Sequence, residues 1–166
     1  MLLNDIFMQL LVRLYERALI RKAQMSLYKK FKTNTDIESQ GVEIALQGAE
    51  NPDGTVPTFL ISRMGGSNKA YTKALERGTK PFRRQNQMGM LPEETLRPIV
   101  RKAFCETVLK GWRNVLDEND QPISYSEQNA LKLMTDLPDV YEILQQEAMD
   151  LSNFRDKAIE AEAKNS

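Results

Sequence analysis

Two rhythms of hydrophobic and polar positions divide the chain. At the amino terminus Ile6, Leu10, Leu14, Ala18 and Leu19 recur at helical spacing, which predicts an amphipathic helix over residues 1–24. A second beginning, "MSLYKKFKTN", follows at Met25. Residues 1–24 therefore read either as a docking helix or as an upstream extension of the core protein. From Val42 the rhythm changes to a period of two, with Val42, Ile44 and Leu46 alternating with Glu43, Ala45 and Gln47. Thr58–Ile61 is a second β-prone run, and the intervening "GAENPDGTVP" is rich in turn-forming residues, so the two runs predict a β-hairpin.

The rest of the chain returns to helical spacing. Ala70, Tyr71, Ala74 and Leu75 form a stripe, with Ser67 or Asn68 placed as N-cap and Gly78 where a C-cap glycine belongs. In "LPEETLRPIVRKAFCETVLKGW" the positions Leu96, Val100, Ala103, Phe104, Val108 and Trp112 fall near one face, predicting a long helix that ends at Gly111, with Phe104 and Trp112 in the core. Pro98 is expected to kink this helix or delay its start. Ser126 and Asp136 each stand before an apolar run as N-caps should, and Pro138 suits a first helical turn. Val140, Tyr141, Leu144 and Ala148 continue as a stripe, and a last helix is expected to carry Phe154, Ala158 and Ala161. The fold predicted is mainly α with a small β-hairpin: an extension over 1–24, then residues 25–62 and 63–164 making one compact helical domain.

Composition supports a folded chain, with 41% hydrophobic and 28% charged residues. Lys+Arg and Asp+Glu are both 23, so overall charge gives no argument for nucleic acid. That balance conceals an asymmetry: residues up to Arg113 carry 19 basic and 11 acidic side chains, and those after it 4 and 12. Halves of opposite sign read as a solvated basic face and a solvated acidic face, or else let the chain fold its ends together or associate head to tail with its own copies. The apolar run near the amino terminus is broken by Asp5, Arg13, Glu16 and Arg17. It never reaches the roughly 20 apolar residues that cross a bilayer, so a membrane is not expected as partner.

Candidate chemistry is sparse. There is one cysteine, Cys105, and no histidine, which excludes histidine catalysis and histidine metal sites and makes Cys105 a core thiol in a reducing compartment. The run from Asp117 departs from the calcium-loop pattern at Gln121, Pro122 and Gln128. It reads as a turn that satisfies its own backbone. Asp117 with Asp120 and Asp136 with Asp139 are explained by capping, and the glycines of "RMGGSNK" match neither phosphate-binding pattern. "KPFRRQ" is one basic cluster in a neutral chain. No catalytic, cofactor or metal site is expected.

"GWRNVLDENDQPISYSEQNALKLMTDLPDVYEILQQEAMDLSNFR", read together with "SRMGGSNKAYTKALERGTKPFRRQ" upstream, resembles the tail assembly chaperones of long-tailed, siphophage-type bacteriophages. The resemblance lies in the order of a tryptophan, an acidic turn with proline, "YSEQNA", "MTDLPD" and "NFR", over roughly residues 25–160. The chain departs from that pattern in residues 1–24 and in Pro98. The resemblance implies a non-enzymatic assembly factor of the host cytoplasm that self-associates, binds the tape-measure protein and, through a longer frameshifted product, the tail-tube protein. Leu137, Tyr141 and Leu144 are then the expected partner-binding residues. Three rivals compete with this expectation: a neck or tail accessory protein retained in the virion, a small DNA-binding regulator, and an enzyme.

Overall fold

A computed structural model describes residues 27–66 and 68–155. Expectations for residues 1–24, for Ser67 as a cap and for Ala158 and Ala161 lie outside the described residues. Residues 34–154 form one compact unit, and residues 27–33 with Arg155 belong to another. The latter contains the one-turn helix α1, Leu27–Phe31, closed by the Lys32 N–H on the Tyr28 carbonyl at 2.8 Å.

The compact unit begins with α2, Thr35–Gln40. Asn34 caps it, its side-chain oxygen accepting from the N–H of Asp36 at 2.9 Å and of Ile37 at 3.3 Å. Gly41 turns the chain into β1, Val42–Ala45, at φ 97°. A Cβ there would lie 2.8 Å from the Ile61 carbonyl oxygen, so only glycine lets the two backbones approach. β1 pairs antiparallel with β2, Thr58–Ile61, in the register Val42–Ile61 and Ile44–Phe59. The hairpin expected from the period-two pattern is thus present.

It is not alone. β2 also pairs antiparallel with β3, Leu109–Arg113, giving a three-stranded sheet in the order β1-β2-β3. This corrects the reading of residues 92–112 as one helix. The helix, α5, covers Glu93–Thr107, and the chain then enters the sheet. Phe59 faces Trp112 and Ile61 faces Leu109, with a register shift that leaves Lys110 as the extra residue of a β-bulge. Ser62 locks the corner: its buried hydroxyl donates to the Thr107 and Val108 carbonyls at 3.1 and 3.2 Å, and its N–H also reaches Val108. On the opposite, exposed face Glu43 and Arg113 form an ion pair across β2.

Helices α3, Lys69–Thr79; α4, Arg83–Gln87; α5; α6, Glu127–Asp136; and α7, Pro138–Met149, build the rest. Asn68 caps α3, accepting from the Tyr71 N–H at 3.0 Å. Gly78 is no C-cap: α3 continues through it. A Cβ at Gly78 would meet the Ile99 Cγ2 at 2.4 Å, so the missing side chain is what lets α3 lie against α5. Pro98 neither delays nor ends α5, which starts at Glu93 behind Pro92. The Glu94 carbonyl loses its usual donor, but both residues are exposed, where solvent is available to satisfy it. Phe59, Ile61, Phe104, Leu109, Met134 and Leu144 are at most 2% exposed and share one core, each side chain contributing about 1.5–3 kcal/mol by burial. Phe154, closing a 3-10 turn over Leu151–Phe154, is also fully buried.

One charged pair lies inside. Glu38 is 4% exposed and pairs with Arg63, while the Arg63 N–H donates to the Glu38 carbonyl at 3.1 Å. The pair ties α2 to the segment leaving β2, and the Met64 N–H reaches the Ala148 carbonyl at 2.9 Å.

Candidate interaction surface

The acidic turn folds as its composition predicts. One carboxylate oxygen of Asp117 accepts from the N–H groups of Asn119 at 2.8 Å and Gln121 at 2.9 Å, and the Ile123 N–H returns to the Val115 carbonyl at 2.9 Å. Trp112 then holds the turn against the sheet by donating its indole N–H to the Ile123 carbonyl at 2.7 Å. Its ring meets Phe59 and Tyr125 edge to face, with centroids 6.1 and 5.1 Å apart. So Trp112 packs from the sheet and is half-buried, whereas Phe104 lies fully in the core as expected. The Tyr125 hydroxyl covers the outer edge of β3 at the Leu109 carbonyl, 2.7 Å away.

Ser126 caps α6 as expected, accepting from the Asn129 N–H at 3.1 Å. Asp136 is not a cap: it closes α6 and pairs with Lys132, whose pKa that hydrogen bond raises. Leu137 is the junction residue, and Pro138 opens α7 at its first turn. A groove of about 490 Å³ lies beside this junction, floored by Leu116, Ile123, Leu133 and Leu137. Its walls carry Asp117, Glu118, Asp136 and Lys132. Its lining combines apolar side chains with charged ones that are mainly acidic.

The three residues expected to bind a partner are divided by this arrangement. Leu137 is 47% exposed, whereas Tyr141 is 8% exposed and Leu144 is sealed. The α7 stripe of Tyr141, Leu144 and Ala148 is spent on the protein's own core, where Tyr141 meets Phe104 edge to face at 5.3 Å. Leu116 and Ile123, which floor the groove, were not legible as surface residues because they belong to the turn and carry no helical spacing.

A second cleft, of about 320 Å³, opens between α5 and α7 on the other side of the junction, lined by Leu96, Val100, Arg101, Pro138 and Tyr141 among others. The Arg101 guanidinium lies 5.4 Å from the centre of the Tyr141 ring. Burial pushes the Tyr141 hydroxyl up to about 12. Cys105 is likewise buried and its thiol is pushed up to about 12, chiefly by the loss of hydration. A thiol held so firmly in its neutral form is a packing group rather than a nucleophile. What the surface offers is shape, apolar area and charge.

The family model described as YdaY prophage protein matches residues 66–165, more than half of the chain and all of the described part of this surface. The chain belongs to the YdaY prophage protein family. It is thus a phage-derived protein, and the region from α3 through α7, with both clefts, is the part shared with the YdaY model. Neither curated proteins nor solved structures give a match to the chain. Among the described residues, no helix is long and apolar enough to cross a membrane.

Proposed function

We propose that this chain is a phage tail assembly chaperone that binds the tape-measure protein without chemistry and assists tail-tube polymerisation in the host cytoplasm. The observation that carries this reading is the groove at the α6–α7 junction. Leu137, in the segment that resembles the tail chaperones, is left exposed on an apolar floor while its helical neighbours are consumed by the core. A tape-measure helix presents apolar stripes to water until the tube encloses it, and a groove of this kind shields such a stripe a few residues at a time. Membership of a prophage family supports the phage setting. Self-association of copies, and recruitment of the tail-tube protein by a longer product, belong to the same proposal.

The test is a pull-down combined with mass spectrometry of finished particles. The tape-measure protein is expected to co-purify with this chain from infected or co-expressing cells, and Leu137→Asp to abolish the association while leaving the melting temperature nearly unchanged. Peptides of this chain are expected to be absent from purified virions. Abundant peptides there would instead identify a neck or tail accessory protein.

A further inference from the structure

Arg101 sits at the meeting point of α5, α6 and α7 in an unusual state. Its Nε is buried and has no hydrogen-bond partner, and no carboxylate among the described residues forms an ion pair with it. One terminal nitrogen stands 3.5 Å from the Thr135 hydroxyl, a distance at the outer limit of a hydrogen bond. That hydroxyl is itself donated to the Leu131 carbonyl at 2.6 Å. Its neighbour Arg97 differs: Glu93 holds it at 2.8 and 2.9 Å. A guanidinium presents a planar fork of donors matched to a carboxylate, and here the fork is already partly desolvated and oriented by the Tyr141 ring. Immobilisation and desolvation, the usual costs of forming such a pair, are largely met within the folded chain.

We infer that the cleft between α5 and α7 is a binding site for a protein segment that presents a carboxylate flanked by apolar side chains, the carboxylate pairing with Arg101 and the apolar groups resting on Leu96, Val100 and Pro138. The rim selects the ligand class. Glu93 and Glu142 border the cleft beside Arg97 and Arg101, and Glu93 is already paired with Arg97. Arg101 is thus left to receive one carboxylate, whereas the further charges of a polyanion such as nucleic acid would meet Glu142 with no cation of the cleft left to pair them. The inference rests on the proposed function only in naming the tape-measure protein as the natural source of that segment.

The experiment uses the full chain and a short amphipathic helical peptide with leucines on one face and a single glutamate among them, together with its Gln counterpart, followed by fluorescence anisotropy. The Glu peptide is expected to bind about tenfold more tightly than the Gln peptide. Arg101→Lys keeps the charge but loses the fork, and the preference is expected to fall to about twofold or less. A thermal melt of Arg101→Lys close to wild type shows that the fold is retained. If that variant melts early, Arg97→Gln, which leaves Arg101 in place, is the companion and is expected to keep the preference. Equal binding of the two peptides, no binding of either, a preference that survives Arg101→Lys, or a single-stranded oligonucleotide that outcompetes the Glu peptide would each overturn the inference. A chain that discriminates the peptides yet never captures the tape-measure protein would retain the site and lose the proposed function.

Discussion

Gly78 illustrates how a single residue is set by what lies opposite it. Alanine inside a helix usually gains up to about 1 kcal/mol over glycine, and Gly78 is the last residue but one of α3, yet here its methyl would overlap the Ile99 Cγ2, on a β-branched side chain with little freedom to withdraw. Overpacking of this kind costs about 1–3 kcal/mol, so Gly78→Ala is expected to lower stability in urea unfolding. In an Ile99→Ala background the clash is gone and the same change is expected to stabilise, a reversal of sign that a double-mutant cycle reads directly. Cys105 and Tyr141 give a second residue-level expectation. Both fold as neutral groups with pKa values of about 12, above the ordinary 9.0 and 10.0, so the unfolded chain releases these protons first as pH rises. Their contribution is fully present below about pH 9 and is lost progressively between there and about 12. The urea midpoint is expected to be insensitive to these groups near neutrality and to fall above pH 9, with Cys105 unreactive to iodoacetamide until the chain unfolds.

At the scale of elements, what sequence could reveal depended on whether local pattern and tertiary placement agreed. The β1–β2 hairpin was legible because Val42, Ile44 and Leu46 alternate with Glu43, Ala45 and Gln47, and Thr58–Ile61 is a β-prone run on the far side of a turn-rich segment. β3 was not, and the cause is the bulge at Lys110. It brings Leu109 and Trp112, three residues apart, to the same face of the sheet, so a strand imitates the spacing of the helix before it. Only Thr107 and Val108, β-branched residues where the helix ends, hinted at the change. The candidate surface was legible in part: the spacing of α7 marked Tyr141, Leu144 and Leu137 as apolar, but which of them the core would claim depended on where α5 lies. Leu144→Ala is therefore expected to cost about 2–5 kcal/mol and Leu137→Asp almost nothing in the same unfolding assay. Glu38 was hidden for the converse reason, since an acid in the first turn of a short helix looks solvated until Arg63 covers it. Arg63→Met, which strips the buried carboxylate of that ion pair, is expected to destabilise by about 3–5 kcal/mol, measurable as a drop in melting temperature.

For the whole molecule, we propose that a phage-derived chain with two clefts flanking Leu137 and Pro138 works by holding another polypeptide. Charge alone points no further, because the 23 basic and 23 acidic residues cancel. The shape of the α5–α7 region does, since it leaves apolar side chains exposed where a partner can reach them. The most direct measurement is the fraction of tape-measure protein that stays soluble when expressed alone, with this chain, and with the Leu137→Asp variant. The account predicts a soluble client only beside the unaltered chain, and a client that precipitates equally in all three would contradict it.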